Sequence, residues 1–337
     1  MNKTHQPAVS PVFALAIALL VATAITSLCV GIRIFAPGTV FTALFNWQTD
    51  SLDSLIVWST RLPRMAVAFF VGAALGLAGA ILQTLTGNIL ADPGLLGINS
   101  GAALAVVVCV AFLGEAPPML TLGLASVTGA CATGALVYML SGGAEGIGKH
   151  PLRLVLAGAV IMLAFGSLLH VLHLLLPNTL EITQLWLAGS VADRPNEMLP
   201  VFLPGLALML VVGVLLGPAL STLVLSPVQT RALGINLTRL RVIAVAVAAS
   251  LCGLAVSLAG PLAFVGLIAP HAARGLLGPK PNVLFPLSLL IGATLVIAAD
   301  TLARIVVAPS EWPLTVLLAI VGVPVYLSLL KRTHSFK

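Results

Sequence analysis

Two arginines open an apolar block in Arg61-Leu62-Pro63-Arg64. Cations at a helix N-terminus oppose its macrodipole and gain nothing locally. The nearest carboxylate in sequence, Asp53, lies eight residues before Arg61. The pair is therefore either two interfacial arginines reaching toward water or a receptor for an acidic partner. Asp300 and Arg304 stand four residues apart inside another apolar block, the spacing at which a helical ion pair closes. Asp300 is also the best candidate for a proton-coupling carboxylate within the membrane, a role its pairing with Arg304 makes unnecessary. His170 and His173 share one helical face. They are spaced to ligate a metal or haem, but no third ligand type lies nearby in sequence, so a packing role is expected.

The chain contains no HExxH, no GxSxG and no paired cytoplasmic carboxylates. It also lacks the GxxxxGK[ST] loop that cradles nucleotide phosphates. It is read as a non-enzyme with no catalytic, metal or cofactor site of its own, so any ATP drive must come from another subunit. A second stretch with chemical potential is the polar run 221–241. Ser226-Pro227 provides a helix cap followed by a first-turn proline. Gly234 supplies a stop, and Thr238–Arg241 begins the next block. A short helix–turn–helix that does not cross a membrane is suited to contact with a soluble protein. The third stretch is Gly260-Pro261-Leu262-Ala263-Phe264-Val265-Gly266-Leu267-Ile268-Ala269-Pro270-His271.

The elements that must carry these residues are set by composition. Of 337 residues, 59% are hydrophobic and only 8% charged, and the mean hydropathy is +1.14. Such a chain cannot be buried in one soluble core; its solvent is lipid. A bilayer core of about 30 Å requires roughly 20 apolar residues as helix, and backbone in lipid must bond internally. A barrel would need alternating segments, whereas Val242–Ala259 does not alternate. The expected fold is all-α: a polytopic membrane protein of about ten transmembrane helices, at 11–34, 63–83, 93–113, 118–140, 152–176, 199–220, 240–259, 261–277, 284–307 and 313–330. Residues 1–337 form a single transmembrane domain with no soluble appendage. Pro63, Pro93, Pro118, Pro261 and Pro313 stand at block starts, where a missing N–H costs nothing. The 261–277 helix would rise only about 26 Å, marginal for a span. Glu181–Val191 is too short to cross and is expected at the surface.

Lys and Arg favour the cytoplasmic side. With the N-terminus inside, Arg33, Arg61, Arg64, Arg194 and Arg304 fall outside and the other eleven of the 16 fall inside. Both termini are thus expected in the cytoplasm. The net charge of +6 is a topology signal and requires no nucleic acid. The first block resembles a signal peptide, with Ala22-Thr23-Ala24 as a cleavage-like pattern, but its apolar run exceeds the usual length. Cys29, Cys109, Cys131 and Cys252 lie singly in four blocks and read as small buried apolar residues.

The Gly260–His271 string, Arg61–Arg64 followed by Val71-Gly72-Ala73-Ala74-Leu75, and Asn88-Ile89-Leu90-Ala91-Asp92-Pro93-Gly94-Leu95-Leu96-Gly97-Ile98-Asn99 resemble the permease family of ABC importers for iron–siderophores and vitamin B12. Asp300–Arg304 and Leu314–Pro324 extend the resemblance, which covers 55–330 in order. It implies ten helices with both ends cytoplasmic, a second permease chain, two ATPase subunits that bind ATP and Mg, a periplasmic substrate-binding protein and residence in the bacterial inner membrane. By the same resemblance, Arg61, Arg64 and Arg304 receive glutamates of the binding protein. Ser226, Pro227, Arg231, Leu233, Gly234, Arg239 and Arg241 match coupling helices that dock on the ATPase. Asn88 and Leu90 match a cytoplasmic constriction, and Pro270, His271 and Arg274 a motif at the inner end of helix eight. Relatives often carry Leu-Gly-Glu where this chain has Leu225-Ser226-Pro227, which removes an acidic contact, and the loop at His150–Leu152 lacks small hydroxyl residues found in some relatives. Gln83–Thr86, Leu95–Leu104 and Leu233–Arg241 look most like ferric dicitrate permease subunits. The expected cargo is a ferric chelate; cobalamin or haem is the alternative within the family, and an ion-coupled secondary transporter the alternative outside it.

Overall fold

A computed structural model describes residues 9–334, apart from 32, 46–50, 115–116, 144–145, 147–149, 151, 178–183, 185, 193–196, 225–234 and 307–310. Every regular element among the described residues is helical. In chain order they are α1 (Val9–Cys29), α2 (Pro37–Phe45), α3 (Leu52–Ile56), α4 (Leu62–Thr86), α5 (Ile98–Leu113), α6 (Met119–Leu140), α7 (Leu152–Leu175), α8 (Leu199–Leu215), α9 (Gly217–Ser221), α10 (Leu237–Ala259), α11 (Val265–Leu277), α12 (Pro281–Val306) and α13 (Leu314–His334). Seven stretches are long and apolar enough to cross a membrane, and Ile98–Leu113 and Leu314–Ser328 are shorter apolar helices.

The centre of the bundle is α4, which packs against α10, α11 and α12. Lipid supplies no hydrophobic drive between helices, so association relies on close packing of small residues. The sequence provides them. A Cβ on Gly72 would stand 2.3 Å from the carbonyl oxygen of Gly292, and one on Gly79 would stand 2.0 Å from that of Gly266. Backbones thus touch where α4 crosses α12 and α11. The outer faces carry the large apolar side chains instead: Leu15 and Leu19 on α1, Val160 and Leu163 on α7, and Leu208 and Leu215 on α8 are exposed. This inversion suits a lipid solvent.

Several boundaries differ from the sequence expectation. Pro63 does not begin its helix. The chain is already helical from Leu52 and widens into a π turn at Val57–Arg61, where Leu62 donates its N–H to the Val57 carbonyl. Proline removes one ladder bond, and a π turn is one way to absorb the resulting mismatch. The expected 93–113 helix is a 3-10 turn, Pro93–Leu96, then α5, with Gly97 left-handed at φ 71° between them. The largest correction concerns 261–277. Its first four residues are not helical, and α11 has only 13 residues. Phe264 enters it in the left-handed region at φ 68°, a conformation strained for a bulky side chain. Non-helical backbone at membrane depth must be satisfied by protein. Here Ser190 donates to the Ala259 carbonyl, and Thr315 Oγ1 lies 2.9 Å from the Ala188 carbonyl and 3.3 Å from that of Pro261. The segment expected at the surface is therefore interior from Trp186 to Val191, both of which are buried, while Gln184 before them is exposed.

The close α4 crossings yield a direct test. Gly79→Ala should strain the bundle by about 1–3 kcal/mol or more, lowering the thermal midpoint in detergent. Gly166→Ala, where a Cβ meets nothing within 4 Å, should leave the midpoint nearly unchanged. Equal midpoints for the two variants would contradict the crossing.

Candidate functional site

The last turn of α1 ends in carbonyls that no helix N–H can satisfy. Two guanidiniums from distant helices meet them. Arg61 Nη1 donates to the carbonyls of Leu28 and Cys29, and its Nη2 to that of Arg33. Its cation also lies 4.1 Å from the centroid of the Phe35 ring. Arg304 Nη1 donates to the carbonyls of Ser27 (3.2 Å) and Val30 (3.0 Å), and its Nη2 to Ser27 Oγ (2.7 Å). Cations at a helix C-terminus interact favourably with its dipole. Arg61 therefore does not stand at a helix N-terminus, since its own helix already runs from Leu52; it caps the helix beside it.

Asp300 joins the two ends of this arrangement. It is only 2% exposed. Arg64 Nε and Nη2 reach its Oδ1 at 3.0 and 2.8 Å, and Arg304 Nη2 lies 3.2 Å from its Oδ2. The expected Asp300–Arg304 pair is present, but Asp300 serves Arg64 as well. The opposite side of Arg64 is taken by Glu311, which follows α12 and precedes α13. Arg64 Nη1 and Nη2 donate to Glu311 Oε1 and Oε2 at 2.8 and 2.9 Å. Arg64 therefore has two carboxylate partners, neither visible as a neighbour in sequence. The guanidinium holds the Glu311 carboxyl below the usual glutamate range, against the opposing cost of partial burial. A depressed folded value keeps the pair intact at neutral pH and releases it only as pH falls through that lowered value. Asp53, the nearest acid in sequence, instead pairs with Arg33 at 3.3 Å, and Arg33 is 63% exposed.

The three predicted arginines are thus brought together at one end of the bundle, but they are embedded rather than projecting: Arg61 is 6% exposed. The cluster holds three cations and two carboxylates. A small cavity of about 60 Å³ adjoins it, lined by Ser59, Thr60, Pro63, Arg64, Val67, Val191 and Leu199. Sequence reading missed Glu311 and the Ser27 hydroxyl. A lone acid two residues before Pro313 was the only signal of the first.

The remaining predicted residues lie elsewhere. Asn88 Oδ1 accepts the Leu90 N–H at 3.0 Å, so that side chain holds a turn after left-handed Gly87. Leu90 lines a cavity of about 480 Å³ together with Asp92, Asn99, Met162, Phe264, Val323 and Tyr326. Arg274 Nη1 donates to Gln83 Oε1 at 3.1 Å, and Gln83 donates to the Gly266 carbonyl. Pro270 is buried within α11 and His271 is half-buried. Arg239 and Arg241 sit in the first turns of α10, which Asn236 caps through the Arg239 N–H. Ser226, Pro227, Arg231, Leu233 and Gly234 fall outside the described residues. His170 and His173 line a separate cavity of about 610 Å³ with Leu169 and Gln184. Among the described residues, no three His, Cys, Asp or Glu side chains are grouped to hold a metal.

Against this geometry, comparison with known proteins is informative. The profile of the FecCD transport family matches residues 19–332. The ferric enterobactin transport system permease protein FepD of Escherichia coli K12 is 36% identical over 93% of this chain and 92% of its own. The iron(3+)-hydroxamate import system permease protein FhuG of Bacillus subtilis 168 is 34% identical over 99% of both. The Fe(3+) dicitrate transport system permease protein FecC of E. coli K12 is 38% identical over 86% of this chain and 87% of its own. A solved inward-facing conformation of a metal-chelate type ABC transporter superposes with a TM-score of 0.82 at 29% identity, covering 96% of this chain and 99% of that one.

The two kinds of ion pair at this end should respond differently to charge removal. Asp300→Asn leaves buried guanidiniums short of a counterion and should cost about 3–5 kcal/mol, read as a large fall in thermal midpoint. Asp53→Asn breaks an exposed pair worth about 0–1 kcal/mol and should barely move it. A tolerated Asp300→Asn would mean that the carbonyls and Glu311 suffice to hold the arginines.

Proposed function

The chain belongs to the FecCD transport family, and from that premise we propose that it is the transmembrane permease subunit of a bacterial ABC importer carrying a ferric chelate inward. The observation that carries this reading is the end-to-end match, in sequence and in fold, to permeases of iron-chelate import and to a metal-chelate ABC transporter. The seven long spans, the two shorter apolar helices and α11 make ten passages, with both termini in the cytoplasm and the protein in the inner membrane. The arginine end then faces outward. A second permease chain, identical or paralogous, pairs with this one across exposed apolar helix faces.

Two ATPase subunits bind ATP and Mg and dock on the polar run 221–241, with Arg239 and Arg241 at its membrane end. A periplasmic binding protein delivers the chelate to the outer face through acidic side chains directed at Arg61, Arg64 and Arg304. The cavity beyond Leu90 supports a passage role. Met162, Phe264, Leu267 and Val323 give it a largely apolar wall, to which Asp92, Asn99, Ser100 and the Tyr326 hydroxyl add polar groups. A wall with few polar partners does not retain a polar chelate, which suits release. Selection among chelates rests with the binding protein, and the hydroxamate, enterobactin and dicitrate permeases are comparably similar to this chain.

Iron-55 uptake in cells lacking their own chelate importers tests the reading. Expression of this permease with its ATPase and binding protein should allow accumulation from at least one ferric chelate among citrate, hydroxamate and catecholate forms. Omitting the ATPase should return uptake to background. Accumulation that persists without the ATPase and collapses with the proton gradient would point to a secondary transporter instead.

A further inference from the structure

The two carboxylates on Arg64 are not equivalent. Asp300 is fixed inside the bundle by Arg64 and Arg304 together. Glu311 is 35% exposed, and its contacts to Arg64 are open to solvent. A guanidinium has five N–H donors. Nε, Nη2 and Nη1 of Arg64 already make bonds to Asp300 or Glu311, leaving one Nη1 hydrogen outside these bonds. An arriving carboxylate therefore cannot grip Arg64 in a fork while Glu311 remains in place. Among the described residues the cluster nevertheless favours an anion, because three arginines face two acids, and Arg61 is satisfied by carbonyls and an aromatic ring with no described acid in bonding contact.

We infer that Glu311 is a built-in substitute for the partner's carboxylate, and that docking of the acidic binding protein exchanges one for the other on Arg64. The inference rests on the docking role proposed above for this end. Exchange conserves charge at the guanidinium: Arg64 keeps Asp300 on one side and a second carboxylate, Glu311 or the newcomer, on the other. It also sets a threshold: a partner with one stray surface acid gains nothing over Glu311, whereas a partner that also binds around the cluster displaces it.

Displacement reaches further than the surface. Glu311 is followed by Trp312, Pro313 and then α13. The first turn of α13 is tied to the non-helical backbone beside it, through Leu314 N–H to the Gly189 carbonyl and Thr315 Oγ1 to the carbonyls of Ala188 and Pro261. Farther along α13, Val323 and Tyr326 line the same cavity as Leu90 and Phe264. Freeing Glu311 removes one outer tether of the segment leading into a helix that borders the passage.

The experiment measures binding-protein affinity for the reconstituted permease–ATPase complex in wild type, Glu311→Gln and Asp53→Asn. The two variants remove the same charge from the same end, but only the first removes a carboxylate from Arg64. Glu311→Gln should tighten binding about tenfold at low salt, since the charged competitor for the fork on Arg64 is gone. Asp53→Asn should change it by less than about twofold, as expected of an exposed pair. Wild-type affinity should fall as salt rises. Equal tightening by both variants would reduce the effect to general electrostatics and overturn the exchange. A salt-sensitive wild type with no response to Glu311→Gln would also overturn it while leaving docking at this end standing. Affinity insensitive to both salt and Glu311→Gln would instead remove the docking role itself. Thermal midpoints of the variants establish that folding is not the cause.

Discussion

The terminal carbonyls of α1 are the constraint around which one end of this protein is organised. Their helix stops between packed neighbours, and ordinary capping by water is replaced by the guanidiniums of Arg61 and Arg304. Arg304 needs a counterion, and Asp300 supplies it inside α12. Asp300 in turn holds Arg64 of α4. Three helices far apart in sequence are thereby stapled by one hydrogen-bonded network whose polar atoms satisfy each other. A partly satisfied network of this kind would be worse than an apolar contact, which explains why so many of its members come from the backbone.

The same network gives the end its chemical character. Its excess of one cation over its carboxylates is not neutralised within the cluster, and its one solvent-facing carboxylate belongs to the segment leading into α13. On the docking role proposed for this end, structural support and partner recognition draw on the same side chains. Removing an arginine would therefore disturb both, and the roles separate only through residues at the edge of the cluster, such as Glu311. At the other end of this chain of contacts, the non-helical backbone after Pro261 brings Ala263 and left-handed Phe264 into the wall of the cavity beside Leu90. Strain of this type persists where surrounding structure holds it, and the hydrogen bonds from Thr315 and Ser190 do so.

How much of this was legible in sequence depends on the range of the physics involved. The lipid solvent, the helical class and most block positions follow from local composition, and α6, α7 and α13 begin within a residue or two of expectation. The Asp300–Arg304 pair follows from its four-residue spacing. The failures are long-range. Nothing local to Arg64 indicates Glu311, 247 residues away, so its positive charge seemed unpaired. Arg61 seemed to work against a dipole because the dipole it serves belongs to α1. The missing first turn of α11 was also unreadable: apolar residues after a proline suggest a helix, while partners at 186–190 and 315 make the extended backbone affordable. The polar run 221–241 rests on cap and turn signals and on the family resemblance, and its residues 225–234 lie outside the described ones.

The central claim is that the cluster built to cap α1 is also the seat of a partner's carboxylate. The most direct measurement is a cryo-electron microscopy structure of the permease–ATPase complex with its binding protein docked. The account predicts a carboxylate of the binding protein forked onto Arg64 at hydrogen-bond distance, Asp300 unmoved between Arg64 and Arg304, and Glu311 turned away. A docked complex in which Glu311 still occupies Arg64, with the binding protein held by other surfaces, would contradict it.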